Sequence, residues 1–161
     1  MRIIPYILYL FLLALHLTIL ADITSIYGAV IDLTALLVTM VALYKGETTT
    51  LWFALCAAII AGTQRLDLMP WEMFALPAIG LAANHISSKL NLDSSLSRIL
   101  ILAAFLFIHG ILMTLLISTS DFIYMFFRSI IPGTVYSLII GWLFFQLKDG
   151  RITWQKAKAL F

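Results

Sequence analysis

With 161 residues, 63% of them hydrophobic, 11% charged and a mean hydropathy of +1.06, the chain carries more apolar surface than one water-soluble core can hide. A formal charge of +2, from basic residues that are dispersed rather than clustered, argues against a nucleic-acid partner. One cysteine, Cys56, excludes an intramolecular disulfide and a cysteine metal cluster, and reads as a small packing residue of the third helix.

The bilayer is therefore the expected solvent, and an apolar stretch needs roughly 20 residues to cross its hydrocarbon. Six stretches meet that test approximately: about 3 to 21, 29 to 44, 48 to 64, 71 to 88, 98 to 118 and 128 to 147. The first, behind Met1 and Arg2, is longer than a secretory signal core and is followed by further apolar stretches, so it reads as an anchor retained as helix one. Pro5 is tolerable in a first helical turn, whose N–H groups lack intrahelical partners. The second and third stretches are joined by Lys45, Gly46 and Glu47, a turn that forces an antiparallel helical hairpin. The fourth is diluted by Pro77, Gly80, Asn84, His85, Ser87 and Ser88, groups that a membrane helix accommodates where neighbours satisfy them. The fold class expected is all-α: a polytopic membrane protein of about six transmembrane helices, with one helical domain over 1–147 and a cytoplasmic tail over 148–161.

Orientation follows from the basic residues. With the N-terminus inside, Arg2, Lys45, Lys89, Arg98, Lys148, Arg151, Lys156 and Lys158 are cytoplasmic, eight of the ten, and only Arg65 and Arg128 are outside. Both termini are thus expected in the cytoplasm. The external loops are short, too short for a soluble receptor or enzyme module. In the tail, Trp154, Ala157 and Phe161 share a helical face beside Lys156 and Lys158, a pattern suited to an interfacial helix or equally to a solvated tail.

Chemistry is sparse. There is no Gly-rich phosphate loop, nucleophile elbow or metal-spaced Cys/His cluster, so no cofactor and no catalytic residue is assigned. His16, His85 and His109 fall in or near spans; each is read first as a neutral ring bonded to a backbone carbonyl across a helix interface. Asp32, at the outer start of the second span, reads as a helix cap. With Arg65, Asp67 and Glu72 it forms a candidate polar cluster at the external face, where Arg65 could pair with Asp67 or Glu72.

Packing signals are richer. Thr50, Ala54, Ala58 and Gly62 recur every fourth residue, as do Gly133, Ser137 and Gly141 after Pro132, and Ala78 and Ala82 in the fourth span. Such faces let helices approach closely, and they serve either internal packing or a partner's helix.

The order of features resembles the MreD family of bacterial rod shape-determining membrane proteins. The residues that carry the resemblance are Ile31, Asp32 and Leu33; Val41, Ala42, Leu43, Lys45 and Gly46; the Thr50 to Gly62 ladder; Asp67; Phe74, Ala75 and Leu76; and the run from Arg128 through Pro132 and Gly133 to Tyr136. The resemblance implies a non-enzymatic, multi-pass protein of the bacterial inner membrane. Its implied partners are an MreC-like bitopic protein, RodA with a class B penicillin-binding protein, MreB indirectly, and membrane lipid. The alternative is a substrate-binding subunit of an energy-coupling-factor transporter, also a small six-span protein, taking a vitamin or a metal near its external face.

Overall fold

The structure, a computed structural model, describes residues 4–25, 30–90, 94–117 and 119–149. The described residues form six helical rods and no strand. Helix α1 runs over Ile4–Leu15, passes through a π-helical turn at His16–Leu20, and ends with one α-turn, Ala21–Thr24. Helix α2 is Leu33–Tyr44, α3 is Glu47–Gly62, α4 is Met69–Lys89 and α5 is Ser95–Ile117. Helix α6 starts at Phe122–Met125, has a second π-turn at Phe126–Ile130, and continues over Ile131–Lys148. Pro132, which brings no N–H for the Arg128 carbonyl, lies two residues beyond that turn.

The six expected stretches correspond to these rods one for one, and the boundaries moved for local reasons. Helix α2 starts later than expected because Asp32 is its N-cap, leaving Val30 and Ile31 outside the helix. The α2–α3 connection is tighter than three residues, since Glu47 already lies in the first turn of α3, where its charge suits the helix dipole. Helix α4 is the most complete departure from its diluted sequence: it runs 21 residues straight through Pro77. Its Asn84 explains part of that tolerance, donating to the carbonyls of Ala42 at 2.9 Å and Lys45 at 2.5 Å and so satisfying orphan groups at the C-terminal end of α2.

Helix α2 is the axis. Ten of its twelve residues are buried, and α1, α3, α4, α5 and α6 all touch it. The α3–α4 pairing is the most extensive contact among the described helices, and the Thr50, Ala54, Ala58, Gly62 ladder is buried along it. On the α4 side the fit is made by Gly80, where an added Cβ would sit 2.9 Å from Thr50 Cγ2 and 3.2 Å from Val38 Cγ1. Gly133, Ser137 and Gly141 are buried too, facing α2 and α5. Ala78 and Ala82 do not join a seam within the chain: both are exposed, and the buried face of α4 is Ala75, Leu76, Ile79, Gly80 and Ala83. Cys56 also departs from expectation. It points outward, because Phe53, Ala54, Ala57 and Ala58 take the inward face of α3.

Two helices, Ser95–Ile117 and Phe122–Lys148, are long and apolar enough to cross a membrane; Ile4–Leu20, Leu33–Tyr44 and Glu47–Gly62 are apolar but shorter. Six rods bring the first and last helices to the same end of the bundle, where Tyr6, Tyr9 and Lys148 line one crevice. The tail expected to form an interfacial helix lies, beyond Asp149, outside the described residues.

Candidate functional site

Polar side chains converge where α2 begins. The backbone of Asp32 leaves the helical region (φ −80°, ψ 74°), and its Oδ1 accepts the Ala35 N–H at 3.0 Å, which makes it the N-cap expected from sequence. Its own N–H donates to Ser137 Oγ at 2.9 Å, and the Ser137 hydroxyl donates to the Gly133 carbonyl at 2.8 Å. Gly133 is required by the same junction: a Cβ there would stand 2.9 Å from the Val30 carbonyl oxygen, so only a glycine lets the segment before the cap pass this close to α6.

The second oxygen of Asp32 has a different partner. Oδ2 lies 2.5 Å from His109 Nδ1, and Nε2 of the same ring lies 3.2 Å from Glu72 Oε2. His109 is delivered by the buried face of α5, which carries Leu102, Phe105, Leu106, His109 and Met113 at helical spacing. Glu72 comes from the first turn of α4, where the helix dipole favours a carboxylate. The imidazole is 6% exposed, with Asp32 at 27% and Glu72 at 15%. A neutral imidazole owns one N–H, so only the doubly protonated ring donates to both carboxylates. In that form the cluster still holds one more negative charge than positive.

This cluster forms one wall of a cleft of about 210 Å³, whose other polar lining comes from Thr114, Ser129 and Thr134. Carboxylate and hydroxyl oxygens around a net negative charge suit a proton or a small hard cation. Among the described residues no group of three or more His, Cys, Asp and Glu is arranged to hold a metal ion. Both nitrogens of His109 face carboxylates, so the ring is presented to neither Ser129 nor Thr134 as a general base.

The candidate cluster read from the sequence is therefore split. Asp32 and Glu72 do meet, through His109, whose place in an apolar span reads as packing. Arg65 and Asp67 stay exposed on the α3–α4 connection, and Glu72 turns inward to His109 rather than outward to Arg65. The three histidines also differ from their expected carbonyl bonds. His109 bonds carboxylates, His85 is exposed, and His16 is 4% exposed with neither ring nitrogen bonded, within electrostatic reach of Asp32. One signal for His109 was present in the sequence. Asp32 and Glu72 both open their helices at the same end of the bundle, and His109 lies only eight residues from the matching end of α5.

No family model matches this chain, and neither does any curated protein or solved structure.

Proposed function

We propose that this chain is a multi-pass protein of the bacterial inner membrane, crossing six times with both ends in the cytoplasm. In this reading it serves without catalysis as a docking component of the cell-elongation machinery. Its partner would be the transmembrane helix of an MreC-like bitopic protein, which would link it to RodA, a class B penicillin-binding protein and, indirectly, MreB. The membrane part rests on the apolar surface: Ile4, Ile7, Phe11, Phe74, Leu100, Ile123 and Phe127 are each at least 60% exposed, a coat that water would not tolerate. The levels of the polar groups agree. Twelve residues of α2 rise only about 18 Å, so with Tyr44 at the inner interface Asp32 lies roughly 12 Å below the outer one. His109, eight residues in from Ile117, reaches about the same depth.

The observation that carries the docking role is the face of α4 that the chain leaves unused. Every member of the Thr50 and Gly133 ladders is consumed internally, whereas Ala78 and Ala82, one turn apart, face outward beside Phe74 and Leu81. Small residues on a lipid-facing helix let a second helix approach its backbone. The test is co-expression with an MreC-like bitopic protein. Ala78→Leu combined with Ala82→Leu should abolish co-purification while the membrane level of the chain is retained, and unchanged co-purification removes the reading.

A specific observation favours the transporter-type alternative, namely the cleft bounded by Asp32, Glu72 and His109. Its volume of about 210 Å³ falls below the roughly 300 Å³ at which sites for drug-sized ligands begin, so it suits an ion better than a vitamin. Saturable binding of a monovalent or divalent cation by the purified chain, lost in Glu72→Gln, would favour that reading over docking.

A further inference from the structure

At the end of the bundle opposite Asp32, α1, α2 and α6 leave a crevice between them. Its floor is apolar, made by Leu37, Met40, Val41 and Phe144, and its mouth carries Tyr6, Tyr9, Tyr44, Lys45 and Lys148. The Lys148 ammonium lies 2.8 Å from the centroid of the Tyr44 ring, and the Tyr44 hydroxyl accepts from Arg98 at 3.1 Å. Arg98 also reaches Asp149 at 2.9 Å, and the second oxygen of Asp149 accepts from Ser95 at 3.1 Å. Among the described residues around this mouth, Lys45, Arg98 and Lys148 thus face one carboxylate, which Arg98 and Ser95 engage. No ion pair among the described residues joins Lys45 or Lys148 to an acid, and the two lysines stand within electrostatic reach of each other.

We infer that this crevice binds one anionic phospholipid of the cytoplasmic leaflet, its phosphate held between Lys45 and Lys148 and the start of an acyl chain laid on Leu37, Met40, Val41 and Phe144. The charge calls for an anion, and the apolar floor selects a lipid over a free phosphate, as basic pockets between membrane helices on the cytoplasmic side do. Tyr6 and Tyr9 add hydroxyls at headgroup level, the place where amphipathic rings settle. The assignment rests on the membrane placement proposed above and is independent of the docking partner.

The test uses the full chain purified in mild detergent with equimolar phosphatidylglycerol and phosphatidylcholine, and reads the lipid retained by native mass spectrometry. Phosphatidylglycerol should be retained in preference, and Lys45→Gln and Lys148→Gln should each weaken that preference about fivefold, the attraction of one basic residue to an anionic surface. Lys89→Gln, at the same end but outside the crevice, should leave it unchanged. Equal loss with Lys89→Gln would mean diffuse attraction, and displacement of the lipid by excess inorganic phosphate would mean a bare anion site; either overturns the inference, as does equal retention of both lipids. Carbonate washing of membranes separates the premise from the proposal. A chain released by the wash refutes the membrane reading, while a chain that stays behind without lipid preference refutes the lipid site alone.

Discussion

At one end of the bundle Asp32, Glu72 and His109 lock α2, α4 and α5 together through a ring that is 6% exposed; at the other, Lys45, Arg98, Lys148 and Asp149 gather around the rim of Tyr44, where the Arg98–Asp149 pair is 18% and 23% exposed. In the first group the cation itself is buried, between carboxylates that are 27% and 15% exposed, so the charge on the ring depends on its two partners. The second group keeps solvent within reach and can hold an excess of one sign. Burial, rather than the number of charges, decides which end is structural and which end is left to attract something else.

The sharpest way to break this comparison is to remove the ring. His109→Ala leaves two carboxylates facing each other with no cation, and should cost about 3–5 kcal/mol in detergent-based equilibrium unfolding. A loss below about 1 kcal/mol would place the two ends in the same class. Next in size is Gly133→Ala, which drives a methyl against the Val30 carbonyl beside the Asp32 cap and should cost about 1–3 kcal/mol. Gly141→Ala makes a useful contrast: its new methyl meets the ends of the Leu102 and Leu36 side chains rather than backbone, so the loss should be the smaller of the two by the same assay. At the basic end, Asp149→Asn should cost at most about 1 kcal/mol and less as salt is raised. Smallest of all is Gly46→Ala in the α2–α3 turn. Its backbone is extended and nothing lies within 4 Å of an added Cβ, so the weaker N-cap and the stiffer unfolded chain should offset to within about 0.5 kcal/mol.

Much of the fold was legible because hydropathy reports where a chain can be helical. Asp32 announced the start of α2 by its cap chemistry, and Lys45 with Gly46 announced its end. The Thr50 and Gly133 ladders were legible as close-approach faces, since small side chains at four-residue spacing have one use. What they approach was not. Gly80 completes the α3–α4 fit yet belongs to no four-residue pattern with Ala78 or Ala82, so the face of α4 that packs inside the chain was not legible. The candidate site was half legible: Asp32, Arg65, Asp67 and Glu72 all fall at the expected outer face, but only packing separates Asp32 and Glu72, which turn inward, from Arg65 and Asp67, which stay exposed. His109 is not legible as their partner because it lies 77 residues from Asp32 and 37 from Glu72 along the chain.

The sequence by itself determined six helical rods, their approximate positions and the gathering of basic residues at alternate turns, because length and apolarity are local properties of a chain. The rotation of each rod about its own axis came only from the tertiary structure. These helices are apolar on nearly every side, so periodicity carries little information about which face is buried. Packing made that choice. It turned His109 toward Asp32 and Glu72, turned Ala78, Ala82 and Cys56 outward, and brought Lys45 and Lys148 to the mouth of one crevice, since contacts between α2 and its five neighbours are settled only when all six helices are in place.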